Sequence, residues 1–251
     1  MQITVALYSS TMTQPNSDST QNTFNISGSS VGNMLGSGVM NINEATQQRE
    51  TENTSTSSET VAKGQQKVIL ILAANPKSTP TLRLDEEVRE IDAGLRRANQ
   101  RDRFHLEQRW AVRSRDVQNA LLDLKPQVVH FSGHGENEIG LILENEVGKA
   151  VAVSTEALAG LFELFADRVE CVVLNACYSE VQAAAISNHI PYVIGMNQAI
   201  GDRAAIEFAV IFYAALGAGE SVEFAYKLGC NAIRMAGIEE YLTPVLKKKP
   251  V

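Results

Sequence analysis

The sequence predicts an α/β fold: a mostly parallel six-stranded sheet with helices on both faces, behind a low-complexity leader, residues 1–64. Three observations carry that expectation. Runs that are apolar at every position, such as Val68-Ile69-Leu70-Ile71-Leu72-Ala73-Ala74, mark strands covered on both faces rather than one. Between these runs lie segments whose apolar residues recur at helical spacing, and such alternation builds a parallel sheet through right-handed crossovers. The leader differs in kind. It is rich in Ser, Thr, Asn, Gln and Gly, with only Tyr8 and Phe24 as aromatics, and buries too little apolar surface to offset its chain entropy. It is expected to be largely disordered.

The folded part is placed at 65–251, and its elements follow in order. Asn75-Pro76 ends the first strand. Leu84, Val88, Ile91 and Leu95, at i, i+4, i+7 and i+11, give a helix with one buried stripe. His105 to Trp110 reads as an amphipathic second strand, with Trp110 expected in the core. The run Arg96-Arg97 through Arg101 and Arg103 alternates with Asp and Asn and reads as a solvated helix end. Ser114 is expected to cap a helix carrying Val117, Leu121, Leu122 and Leu124. Pro126 leads into the third strand, which runs to Ser132. Ile139 to Leu143 and Ala150 to Val153, joined by a polar tip, predict a hairpin. Ser154 precedes a helix reaching about Ala166. The fourth sheet strand leads to Cys177, and a helix of small residues lies around Ala183 to Ile186. Tyr192 to Gly195 form the fifth strand, Asp202 to Leu216 and Ser221 to Ala236 two helices, and a last strand lies near Tyr241 to Leu246.

Composition removes several function classes. A net charge of −7 argues against a nucleic-acid partner, which needs a cationic footprint. No window reaches the roughly 18 consecutive apolar residues of a membrane span. Met1 to Tyr8 has no basic start and only a short apolar run, unlike a secretory signal. Three cysteines, an odd number, do not form a disulfide framework and suit a reducing cytoplasm. Cys171, opening a buried strand, and Cys230, within a helix, read as small core residues.

The chemistry gathers at two strand ends. Val128-Val129-His130-Phe131-Ser132 runs into Gly133-His134-Gly135-Glu136, a turn that no buried strand continues through. About forty residues on, Val172-Val173-Leu174 runs into Asn175-Ala176-Cys177-Tyr178-Ser179. Consecutive strands of such a sheet are neighbours about 4.8 Å apart. Both His134 and Cys177 therefore fall at its carboxyl edge, where open α/β sheets bind ligands. A thiol beside an imidazole is a candidate nucleophile and base. A helix starting near Tyr178 would add partial positive charge at the sulfur. The backbone N–H groups of Gly135 and Cys177 are candidate oxyanion donors. His130 reads as structural, His189 as a loop residue. No metal or cofactor is expected: His130, His134 and Cys177 lack the further ligands of a zinc site, and Asn75-Pro76-Lys77-Ser78 is no glycine-rich phosphate turn.

These two motifs, taken in order, are similar to those of caspase-like (clan CD) cysteine peptidases, and most closely resemble the CHAT branch. Val193-Ile194-Gly195-Met196, Gly201-Asp202-Arg203-Ala204-Ala205 and Phe212-Tyr213-Ala214-Ala215-Leu216 extend the resemblance over roughly residues 67–246. It implies a three-layer αβα caspase-like fold and a cysteine endopeptidase acting on a protein substrate. By the same resemblance His134 is the general base and acid and Cys177 the nucleophile that forms a thioester. Asn175 would lie near the first specificity pocket. Asp202 would line it too, or orient a substrate strand, or simply cap the following helix. Relatives accept basic or large apolar residues before the cut, and the sequence does not choose. The alternative is a catalytically inactive caspase-fold scaffold or signalling adaptor that assembles through its leader and merely binds a partner.

Within the leader, residues 24–43 carry an eight-residue repeat. Asn25, Asn33 and Asn41 recur, each followed by an apolar residue (Ile26, Met34, Ile42), while Gly28 aligns with Gly36 and Val31 with Val39. An even repeat keeps equivalent side chains on one face of a strand, and stacked chains would form Asn ladders and dry apolar layers. The stretch resembles bacterial amyloid signalling motifs. That resemblance implies a homotypic filament, an upstream sensor bearing a matching motif, and a setting in prokaryotic cell death or phage defence. Glu44 to about Gly64 then reads as a tether.

Overall fold

The computed structural model describes residues 66–136 and 139–250. The 24–43 repeat, with Asn25, Ile26, Gly28, Val31, Asn33, Gly36, Val39, Asn41 and Ile42, lies outside the described residues.

In chain order the elements are β1 (Lys67–Ala74), α1 (Leu84–Arg97), β2 (Phe104–Trp110), α2 (Ser114–Leu124), β3 (Val128–Gly133), β4 (Gly135–Glu136), β5 (Gly140–Glu144) and β6 (Ala150–Val153). There follow α3 (Thr155–Glu163), β7 (Cys171–Asn175), α4 (Glu180–Ile186), β8 (Tyr192–Met196), α5 (Asp202–Ala218), α6 (Val222–Met235) and β9 (Pro244–Lys248). The six-stranded sheet has the order β2-β1-β3-β7-β8-β9, parallel throughout except for the antiparallel β8–β9 pair. A small antiparallel sheet, β4-β5-β6, rises from the end of β3.

The all-apolar strands are explained by a core on each face. On one, Leu70 and Leu72 of β1, Val129 and Phe131 of β3, and Val172 and Leu174 of β7 pack on Val117 and Leu121 of α2, Leu158 and Phe162 of α3, and Ile186 of α4. On the other, Ile69, Ile71, Val128 and Val173 meet Val88, Ile91 and Leu95 of α1 and Phe208, Phe212 and Tyr213 of α5. The period-two alternation of a strand divides the same run between both cores. Three layers result, with the predicted α1 stripe buried to the last residue.

Several local expectations change. Ser114 does not cap α2; it is the first helical residue, and Arg113 holds the cap position by donating its backbone N–H to Asp116 Oδ2 at 3.0 Å. Leu122 faces solvent. Trp110 is not core: it closes β2, an edge strand, and is 48% exposed. The last strand starts at Pro244 rather than near Tyr241, because residues 239–242 form a 3-10 turn first. Strand β4 went unpredicted, since two residues leave no periodicity to detect. Among the described residues no helix is long and apolar enough to cross a membrane.

Candidate active site

Ser132 of β3 pairs with Asn175 of β7 in parallel register, so His134 and Cys177 each stand two residues beyond a matched pair. Both line one narrow pocket at the carboxyl edge of the sheet, together with Asn175 and Asp202. Each side chain is held from behind by a different loop.

The loop between β1 and α1 holds His134. Asn75 braces it by accepting from the Leu82 N–H (3.3 Å) and donating to the Leu82 carbonyl (3.2 Å), while Lys77 N–H reaches Gly148 O (2.9 Å). So braced, the loop presents the Pro80 carbonyl 2.8 Å from His134 Nε2. A carbonyl oxygen only accepts, so Nε2 carries a proton and Nδ1 is the ring nitrogen placed to act as the base.

The turn after β7 holds Cys177. Ser179 ties it down, donating its hydroxyl to Leu174 O (2.9 Å) and accepting from Met196 N–H (3.0 Å). Tyr178 takes the left-handed conformation (φ 56°), sparsely populated for a side chain of this size, and its N–H bonds Gln198 O at 3.2 Å. Helix α4 starts at Glu180, directly after this turn, with Ser179 at its cap position. The sulfur lies against Ile200, 3.5 Å from its N–H and 3.7 Å from its carbonyl oxygen. An N–H aimed at sulfur has the polarity a thiolate requires.

Gly135 joins the two halves. A Cβ on this residue would lie 2.4 Å from Cys177 O and 3.2 Å from the Ala176 Cβ, so the β3–β4 turn and the cysteine turn touch through backbone. The other cysteines stand apart: Cys171 is fully buried, with its thiol pushed well up by desolvation, and burial pushes Cys230 up to about 11. Asp202 is the first residue of α5 rather than its cap, which is Gly201, and it lines the pocket mouth.

Beneath the pocket lies a buried polar network that the sequence reading missed. Glu87 of α1, only 3% exposed, accepts from Ser132 Oγ, contacts His130 Nε2 at 3.0 Å, and accepts from Asn175 Nδ2 at 2.5 Å. His130, the structural histidine expected, continues to Tyr213 Oη at 3.1 Å. Burial holds the Tyr213 hydroxyl well above its ordinary range, so it keeps its proton. A signal for Glu87 was present: it stands three residues after Leu84 and four before Ile91, inside the buried stripe, where a carboxylate is unexpected.

The profile of the CHAT domain matches residues 39–227. The chain belongs to the CHAT domain family. Relatives of this CHAT chain include a "Roc-COR-CHAT protease" from an unknown prokaryotic organism, 27% identical over 68% of this chain and 17% of the relative. A "probable protease" of Gillisia limnaea is 26% identical over 66% of this chain and 30% of the relative. The CHAT chain thus spans under a third of either relative's length. Among solved structures, the Arg-specific cysteine proteinase gingipain R superposes with a TM-score of 0.53 over 73% of this chain and 46% of that one, at 10% identity. The fold is therefore a gingipain-like α/β fold with a mostly parallel six-stranded sheet, as the sequence predicted.

Proposed function

We propose that this CHAT chain is a cysteine endopeptidase in which His134 and Cys177 act as a dyad. The observation that carries the reading is their convergence on one pocket, with His134 Nε2 engaged by a backbone carbonyl and Nδ1 left basic. Nδ1 takes the thiol proton as sulfur attacks the scissile carbonyl carbon, and the C–S bond forms. The N–H groups of Gly135 and Cys177 receive the oxyanion. The imidazolium then gives its proton to the leaving amine as the C–N bond breaks. A water, deprotonated by Nδ1, opens the thioester and returns the thiol.

The test is thiol-dependent cleavage. The full chain and its Cys177→Ala form, incubated with a peptide library, should differ by loss of all cleavage in the variant. Equal residual activity in both would favour the inactive scaffold instead.

The leader supplies the recruitment step of the same reading. Its eight-residue Asn/apolar repeat fits stacking of residues 24–43 seeded by an upstream sensor with a matching motif, which would raise the local concentration of peptidase units. A cell-death or defence effector in the prokaryotic cytoplasm is the setting that suits such clustering. A synthetic 22–44 peptide should form thioflavin-positive β fibrils; a persistently monomeric coil would remove the recruitment step.

A further inference from the structure

We infer that the pocket between His134 and Cys177 selects a cationic side chain, lysine or arginine, and that Glu87 and Asn175 form the floor that reads it. The inference rests on the peptidase reading, because the cation is carried by the residue before the cut.

The floor offers acceptors and nothing else. Asn175, 4% exposed, spends its amide nitrogen on Glu87 Oε1 (2.5 Å) and Ala205 O (3.3 Å). Flipping the amide would set its oxygen against two other oxygens, so the orientation is fixed. Its Oδ1 is left buried without a hydrogen-bond partner. Buried acceptors are rarely left so, and one that lines a pocket points to a donor supplied by a ligand. Glu87 repeats the pattern. Its Oε1 serves His130 and Asn175, whereas Oε2 accepts only from Ser132, which leaves a lone pair open.

Charge narrows the ligand class further. Among the described residues no lysine or arginine pairs with Glu87. Arg83, which also lines the pocket, is engaged by Glu86. Asp202 stands at the mouth and adds a second carboxylate. The buried neighbours of Glu87 are a hydroxyl, an amide and the His130 imidazole, so no lysine or arginine among the described residues occupies this acidic floor. A carboxylate-bearing side chain is repelled, and an apolar one leaves Oδ1 orphaned. A neutral amide satisfies Oδ1 but not the charge. Shape agrees: the slot is narrow, about 40 Å³, and a water-sized occupant takes roughly 10–15 Å³ on that measure. An unbranched chain enters such a slot tip first, whereas an aromatic ring does not.

Peptides alike except for Arg, Lys, Gln, Leu or Asp before the cut, given to the full chain, test this. Arg or Lys should exceed Leu by at least about 100-fold in kcat/KM, with Gln between. Glu87→Gln should lower the cation-over-Leu ratio at least tenfold, and Asn175→Ser gives the same readout should Glu87→Gln fail to fold. A measurement without turnover stands beside it: calorimetric binding of n-butylguanidinium and n-butylammonium to the full-length Cys177→Ala chain, with neutral n-butylurea as control. A cation should bind at least tenfold tighter than the urea, and adding Glu87→Gln should erase the difference. Thiol-dependent cleavage that favours Leu, or equal binding of cation and urea, overturns the inference while the peptidase reading survives. Glu87-dependent cation binding without any cleavage keeps the pocket assignment and ends the peptidase reading.

Discussion

His134→Ala should lower kcat/KM for a peptide amide by about 10²–10⁴, the usual contribution of a positioned acid–base group, and should lower it far less for an activated ester of the same acyl group. The asymmetry follows from two proposed duties. As a base, Nδ1 removes the thiol proton, and an ester substrate needs that as much as an amide does. As an acid, the imidazolium protonates the departing nitrogen; an amine is a poor leaving group without that proton, whereas an activated alkoxide leaves unaided. Removing the ring removes both duties for the amide and one for the ester. Residual cleavage by the variant should also rise with pH, as hydroxide replaces the missing base. Steady-state rates on a matched amide and ester pair across pH check all of this. Equal losses on both substrates, flat with pH, would mean that His134 only props the turn and that the dyad is wrong.

How much of this was legible in the sequence depended on the length scale of each signal. Strands β1, β3 and β7 were plain because both faces are covered, which forces seven consecutive apolar positions in Val68–Ala74. Helix α1 was plain from its spacing. His134 and Cys177 were legible because each follows such a run directly, and parallel register turns equal distances past the strand ends into proximity. The groups that position them were not legible. Pro80 acts through its carbonyl, which every residue has, and Ile200 through its backbone, so neither side chain advertises the role. Trp110 was misplaced because composition does not say that β2 lies at the sheet edge. The shape of the cysteine turn was not legible because Tyr178 adopts a left-handed conformation that no propensity favours. The Glu87 network fell between these cases. Its partners come from α1, β3, β7 and α5, brought together only by the fold.

Gly135→Ala should abolish most cleavage, by about 10²–10³ in kcat/KM, while the protein stays folded. The added methyl would lie 2.4 Å from Cys177 O and 3.2 Å from the Ala176 Cβ. The first neighbour is backbone and cannot rotate away, so either β4 or the cysteine turn must move by a large fraction of an ångström. Overpacking of this kind costs about 1–3 kcal/mol of stability, which a domain of this size survives. Catalysis is less forgiving. A shift near 1 Å costs about 100-fold through lost alignment, and withdrawing one of two donors from the oxyanion costs about 10²–10³. Both losses act on the same carbonyl group, so they do not simply multiply. Gly160→Ala is the control: it lies in α3 with nothing within 4 Å of the new methyl, and should retain full activity with slightly raised stability. Cleavage rates and thermal unfolding midpoints of the two variants, measured together, separate misplaced chemistry from lost fold. Full activity in Gly135→Ala would show that the two turns need not touch, and the pair of backbone donors assigned to the oxyanion would fall with that contact.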